Sequence, residues 1–521
     1  MEHTRREFIQ RGSVLVAAPP AVPAPGVGGV LRVDPTPLFP VSPFLHMQFM
    51  EPLGVTDGSV EAAWDHDAGD WRRDFVDAAA DLAPDVIRLG GLFSRYYRWR
   101  EGVGPPAARP PMRNHVWGGW ESNRVGTGEV ASLCRRVGAE PLFGVNFASD
   151  GEARYARTRE GNRTADAAEA ADWVSYCNDP DHAERRRHGS AEPHAVRLWQ
   201  VGNETSYNDG GFGKDEAIAR TVEFARAMRA RDPSIELIGW GDRAFHRAGA
   251  GPELWAADMV ERAGEHLAYV AIHAMQQFPT RPESVLRGQR YQNEPERAWD
   301  ELLELSRGIE ARLVELEGVL DAKRAAAKIA VTEGHLSLNP HNANPILLEW
   351  LVGAYHAVAL NTYQRHGRRV GIATAADFSG TRWTVVAVRT PVPRGASYLT
   401  PVGAVTRLFK RHNGREAAAV ATAPADLDVA ASVTGDTVFL HVANLRYAAA
   451  VEAAFAVEGR TVVGGRVVEI APEDPRRAVS QDEPDAFAPR ERALPAGPDG
   501  ARWRFPAASV SAVELRLAPR P

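Results

Sequence analysis

Eight short apolar runs alternate with helical stretches between residues 44 and 378, and no other feature restricts the fold of this chain as much. The runs are "FLHMQFM" (44 to 50), "DVIRLGG" (85 to 91), "EPLFGVNF" (140 to 147), "VRLWQVGNE" (196 to 204), "IELIGWGD" (235 to 242), "LAYVAIHAM" (267 to 275), "KIAVTEGH" (328 to 335) and "RVGIATAADF" (369 to 378). Between them lie "GEVASLCRRVG", an alanine and acid periodicity from Ala165 to Cys177, "DEAIARTVEFARAMRARD" and "ILLEWLVGAYHAVALNTYQRHG". Near-continuous apolar runs fit strands buried on both faces, and spacing of three to four fits amphipathic helices. Eight such units predict an α/β fold, a (β/α)8 barrel over 41–414, with a doubly wound open sheet as the alternative.

From residue 415 the pattern changes to short alternating strands, "DLDVAASVTG", "DTVFLHVANL", "TVVGGRVVEI" and "SVSAVELRL". These predict an all-β sandwich over 415–521, which a strand within 30–40 ("VLRV") is expected to join. The 521 residues, 44% hydrophobic, supply core enough for both units.

A net charge of −6 and a pI near 6.3 argue against a polyanion-binding surface, so nucleic acid is not an expected partner. Cys134 and Cys177 lie in helical patterns without a second thiol or histidine at metal-finger spacing, and read as small buried hydrophobes. No metal or cofactor is expected. Residues 1–29 read as a twin-arginine export signal and linker, because Arg5-Arg6 precede Phe8-Ile9 and the apolar "SVLVAAPPAV". The expectation is therefore a protein exported to the periplasm or medium, with no membrane span, and self-association into a homo-oligomer stays open.

In a barrel, reactive groups sit where strands end, because the loops there form the mouth. Strand four ends on Asn203-Glu204 and strand seven on Glu333, and these strands oppose one another across an eight-strand ring. The other strand ends supply Glu51, Arg88, Asp242, His273 and Asp377. Two carboxylates converging on one bond are what glycoside hydrolysis needs: one protonates the leaving oxygen, and the other attacks the sugar carbon or activates water. Arg88 is the natural counter-ion for one of them. The dipeptide Asn-Glu alone carries no information, since Asn293-Glu294 recurs in a loop with no strand before it.

Other motifs weigh less. "NDGGFGKDE" lacks the leading glycine of a phosphate loop and has Asp215 where a hydroxyl would hold magnesium. His182, His188 and His194 suit no single helical face and read as solvated. Trp117 and Trp120 in "HVWGGWESN" fit either core or a sugar-stacking platform.

In order and at similar intervals, "FMEPLG", "VIRLGGLF", "GVGPPAARP", "ESNRVGTGE", "LCRRVGAEPLFGVNFASD", "AADWVSYCN", "LWQVGNE" and "LDVAASVTGDTVFLHVAN" closely resemble the α-L-arabinofuranosidases of glycoside hydrolase family 51, a clan A retaining group. The resemblance implies Glu204 as acid/base, Glu333 as nucleophile, Arg88 as its support, and sugar contacts from Glu51, Asn203 and His273. The chain departs from that family at Leu92, where an amide is usual, at Met275 and Gly334, where aromatic residues are usual, and at Asp377, where a glutamine is usual. Those departures predict an altered glycone, with Met275 and Gly334 leaving room in the pocket. A retaining glycosidase acting on terminal sugars of polysaccharides or oligosaccharides is the expectation. The alternative is an exported carbohydrate-binding barrel without turnover.

Overall fold

The computed structural model describes residues 29–54, 60–147, 157–158, 161–162, 165–207, 212–243, 253–277, 281–334, 336–338, 344–380, 386–393, 395–497 and 500–519. The expected export signal lies outside the described residues apart from residue 29. Among the described residues no helix is long and apolar enough to cross a membrane.

Eight parallel strands follow one another round a TIM-like barrel: Gln48–Met50, Val86–Leu89, Glu140–Val145, Leu198–Val201, Glu236–Trp240, Tyr269–His273, Lys328–Glu333 and Val370–Ala373. The ring closes where the eighth strand meets the approach to the first, with Met47 N donating to Ala373 O at 2.9 Å and Ala373 N to Phe44 O at 3.1 Å. Apart from the first residues Glu140, Glu236 and Lys328, the strands are buried, because helices cover their outer faces. The helix Thr127–Val137 starts where the Glu129 carboxylate accepts from Gly126 N at 2.9 Å. Asp166 caps Ala167–Asn178 by accepting from Glu169 N at 2.8 Å. The longest helix, Pro295–Ala322, opens on a proline, whose missing N–H has no partner in a first turn anyway. Cys134 and Cys177 are free and buried in the core, as expected.

The eighth run, expected as one strand over 369–378, is split. Thr374 Oγ1 donates to Ala376 O at 2.9 Å, which bends the chain after Ala373. A second strand, Asp377–Gly380, then pairs with the first barrel strand at Phe49 and continues outward through Val386–Arg389 and Tyr398–Leu399. The bend places Asp377 beside the first strand.

The carboxyl-terminal unit is all-β, but its strands form a closed ring and not the two separate sheets of the expected sandwich. In ring order they are Gly29–Asp34, Glu416–Thr422, Leu427–Thr434, Thr437–Asn444, Val510–Leu517, Val462–Ile470, Arg490–Gly497, Gly500–Phe505 and Val451–Val457. Gly29–Asp34 closes it by running antiparallel to Glu416–Thr422 and parallel to Val451–Val457, so neither strand is left as an edge. Helix Gly353–Arg365 ties the ring to the barrel through Asn361 Nδ2 to Asp428 Oδ1 at 2.7 Å and Arg365 to Asp428 at 3.0 Å.

Candidate active site

The second barrel strand ends in two glycines, and both make space for charge. A Cβ on Gly90 would lie 2.7 Å from the Arg88 guanidinium, and one on Gly91 would lie 2.6 Å from the Glu51 carboxyl carbon. Any side chain at either position would displace a site residue. Arg88, fully buried, donates from Nε to Gln200 Oε1 at 2.8 Å, from Nη2 to Asn203 Oδ1 at 2.7 Å and from Nη1 to Glu333 Oε1 at 3.2 Å. It also lies over the Phe49 ring at 4.8 Å. Burial lowers its pKa, and the negative charges of Glu333, Glu51 and Glu204 work the other way. A guanidinium stays charged in any such site, so Arg88 holds Glu333 as a carboxylate.

Glu204 is reached through strained backbone: its φ is +54°, in the left-handed region. Such a conformation in a non-glycine residue costs about 1–3 kcal/mol and persists only when its surroundings impose it. Arg95 Nη2 holds Glu204 O at 3.0 Å and Asn203 O at 3.3 Å, and Tyr207 N closes the turn onto Glu204 O at 2.9 Å. The strain turns the carboxylate toward strand six, where His273 Nδ1 lies 3.1 Å from Glu204 Oε1 and 3.5 Å from Glu333 Oε2. One imidazole nitrogen thus stands between the two acids. All three side chains are buried, with exposures of 2% for Glu204, 6% for Glu333 and 0% for His273.

Asn203 Nδ2 and His273 Nε2 are buried without a hydrogen-bond partner. Buried polar atoms are normally paired, so orphans at a barrel mouth mark places where a ligand's hydroxyls fit. The ligand atoms of Glu204, His273 and Glu333 lie within 4.8 Å of one another, the one group among the described residues whose spacing could hold a metal ion.

The structure brings Glu204, Glu333, Arg88, Asn203 and His273 into one hydrogen-bonded cluster. Glu51 sits at the edge of that cluster, where its Oε1 accepts from Phe93 N at 3.0 Å. Asp377 is buried on the first-strand side, 6% exposed. Leu92 is likewise buried, opening the short turn Leu92–Arg95. One expectation fails: Gly334 leaves no room, because a Cβ there would lie 2.1 Å from Thr374 O. The bend after the eighth strand fills the space a side chain would need. Met275 remains partly buried against the core.

Of the three histidines expected to be solvated, His194 is buried, and His182 and His188 are half-buried. Their rings surround Tyr176, with centroids 5.3 Å away for His182, 5.9 Å for His188 and 6.0 Å for His194. His188 Nδ1 pairs with the Tyr176 hydroxyl at 3.0 Å, and burial pushes His194 down to about 4. Aromatic packing on the helix Ala167–Asn178 draws them inward. Trp120, by contrast, is 54% exposed.

Sequence reasoning did not single out Gln200, Arg95, Tyr207 or Arg312. Gln200 was legible as the inward position two residues before Gly202 on strand four. Arg312 was not, since it comes from a helix interior far along the chain.

Residues 78–287 match the family model described as the α-L-arabinofuranosidase 1 domain. The chain is 31% identical over 239 residues to an intracellular exo-α-(1→5)-L-arabinofuranosidase of Acetivibrio thermocellus, covering 44% of each chain. It is 35% identical over 196 residues to α-L-arabinofuranosidase C of Emericella nidulans, covering 36% of this chain and 34% of that one. The aligned stretches therefore span less than half the length of these curated relatives. In fold it is similar to the α-L-arabinofuranosidase of Thermotoga maritima in its arabinose complex, with a TM-score of 0.75 and 23% identity over 94% of this chain and 100% of that one. The matched domain model carries strands two to six of the barrel, with Glu204 and His273 inside it, and the fold as a whole is similar to that of solved α-L-arabinofuranosidases of glycoside hydrolase family 51.

Proposed function

We propose that this protein is a retaining glycoside hydrolase that releases terminal glycosyl residues from polysaccharides or oligosaccharides. The observation that carries the reading is the closeness of the two acids: one oxygen of Glu204 and one of Glu333 lie within 4.8 Å of each other, on either side of a single imidazole nitrogen, too close to leave the wide gap an inverting pair keeps for water. Retaining enzymes hold their carboxyl groups about 5–5.5 Å apart, whereas inverting enzymes leave about 6.5–9.5 Å for a water. Glu333, kept ionised by Arg88, attacks the anomeric carbon while the Glu204 carboxyl gives its proton to the leaving oxygen, and the bond between carbon and that oxygen breaks. Water, deprotonated by Glu204, then attacks the glycosyl-enzyme and releases Glu333 as a carboxylate. Asn203 Nδ2 and Glu51 are positioned to take sugar hydroxyls.

The glycone is proposed to differ from a bare arabinofuranose, because Leu92 presents no hydrogen-bonding group and Asp377 brings a charge to the first-strand side. A hydroxyl that loses its partner there gives up about 0.5–1.5 kcal/mol net, and more when buried. Comparing kcat/KM on aryl arabinofuranoside, bulkier furanosides, xyloside and galactoside tests this; arabinofuranoside as the best substrate by a wide margin refutes the altered glycone. Export through Arg5-Arg6 is part of the proposal and is tested by the amino-terminal sequence of the protein recovered outside the cytoplasm. The names of some relatives describe them as intracellular, which makes that measurement informative.

A further inference from the structure

His273 stands where the ladder between strands six and seven loses register, between Ile272 and His273. Such an irregularity re-aims a side chain and frees main-chain groups from the ladder. Here those groups are taken up by an ion pair from elsewhere in the barrel. Asp242 Oδ2 accepts from His273 N at 3.3 Å, and Arg312 Nη1 donates to His273 O. The two partners are themselves joined, since Arg312 Nη2 lies 2.6 Å from both Asp242 oxygens. Tyr207 completes the unit by donating its hydroxyl to Asp242 Oδ2 at 2.5 Å. Tyr207 is also the residue whose N–H closes the strained Glu204 turn.

Three elements meet at this point: the turn after strand four, the end of strand five and the helix Pro295–Ala322. We propose that Asp242, Arg312 and Tyr207 form a positioning unit that fixes the distance between the Glu204 turn and the His273 ring, and so sets how readily Glu204 donates its proton. The inference rests on the glycosidase reading for its catalytic consequence, but its geometric content concerns His273 itself.

The charged and titratable groups around His273 are Glu204 from strand four, Asp242 from strand five, Glu333 from strand seven, Arg88 from strand two, Arg312 from the helix and the Tyr207 phenol. Burial drives the Asp242 carboxyl up, and Arg312 and Tyr207 more than offset this, leaving it below the usual carboxylate range. The Tyr207 phenol is pushed well above its ordinary value by burial and by Asp242, so it remains a donor. The Trp240 ring lies edge-on to His273 at 4.6 Å and leaves Nε2 without a partner. A proton on Nε2 would be buried and unpaired in the free site, whereas one on Nδ1 faces the side chains of Glu204 and Glu333, so the geometry favours the Nδ1–H tautomer.

Arg312→Lys and Tyr207→Phe test the inference, because both keep bulk and Tyr207→Phe leaves the ion pair intact. Folding is checked by circular dichroism, and His273 is followed by 15N NMR, assigned against His273→Asn. In the wild type the ring 15N shifts are expected to show the proton on Nδ1; in both variants that signal should shift or broaden. On aryl glycosides, kcat for poor leaving groups should fall about 10- to 100-fold with KM little changed, while good leaving groups, which need little protonation, are spared. A shifted His273 signal without any glycosidase activity in the wild type would retain the positioning unit and sink the functional reading. Folded variants with an unchanged His273 signal, or with equal losses on both kinds of leaving group, would overturn the inference.

Discussion

The two ends of the barrel treat buried charge in opposite ways. At the floor, where strands begin, Asp85 uses both oxygens: Oδ1 takes Lys410, and Oδ2 accepts from His46 N at 3.1 Å and lies 3.1 Å from His46 Nδ1. Burial alone would raise the Asp85 carboxyl, but His46 and Lys410 bring it below the usual carboxylate range. At the mouth, Arg88, Asn203, Glu204, His273 and Glu333 are equally buried, yet Asn203 Nδ2 and His273 Nε2 are left without partners and Glu204 is strained. A charge saturated within the fold contributes stability, and a group left unsaturated and strained is held for something that arrives later.

The largest expected break in this contrast is Glu333→Ala, which should lower kcat about 10^5-fold or more on every substrate while leaving the melting temperature nearly unchanged. Azide should rescue it by forming a glycosyl azide of inverted anomeric configuration. Glu204→Ala comes next, with a loss of about 10^2- to 10^4-fold on poor leaving groups and far less on good ones. Equal loss for both variants on all leaving groups would contradict the assignment of roles.

At the floor the expectation reverses. Asp85→Ala should cost about 2–3 kcal/mol of stability by denaturant unfolding, with kcat of the folded fraction unchanged. The folded carboxyl has a lowered pKa, so its contribution is present above the unfolded value of about 3.9 and is lost as pH falls through the folded one. The stability gap between wild type and Asp85→Ala should therefore close in acid.

Glu121 sharpens the comparison with the smallest effect. It lies behind the mouth, where Oε1 accepts from Gly54 N and from Asn114 Nδ2 at 3.0 Å, and Oε2 has no partner. Burial raises it to about 7. A raised carboxyl favours the folded state below the unfolded pKa and loses that contribution as pH rises to about 7. Glu121→Gln should therefore flatten the decline of stability between pH about 4.5 and 7, by about 1–2 kcal/mol. An unchanged slope would show that Glu121 is already ionised in acid.

What could be read from the sequence follows the same division. The eight strands were legible because burial on both faces writes a continuous apolar run, and Glu204, Glu333 and Arg88 were legible because a charge ending or interrupting such a run has no folding reason to be there. The break after Ala373 was not, since it depends on the Thr374 hydroxyl finding a carbonyl and not on periodicity. Gly334 was misread for the same reason: the carbonyl that fills its side-chain space belongs to Thr374, forty residues later. Arg312 was hidden because a charged residue in a long amphipathic helix looks solvated until its neighbours are known. The packing of His182, His188 and His194 around Tyr176 likewise depends on tertiary contacts, and the ring of nine strands on the parallel pairing of Gly29–Asp34 with Val451–Val457.

The central claim is that Glu204 and Glu333 stand at the separation of a double displacement. It is tested most directly by following the anomeric protons of the first-formed product during hydrolysis of an aryl glycoside by 1H NMR. The account predicts a product with the anomeric configuration of the substrate, appearing before mutarotation. A first-formed product of inverted configuration would contradict it, since water would then have attacked in place of Glu333.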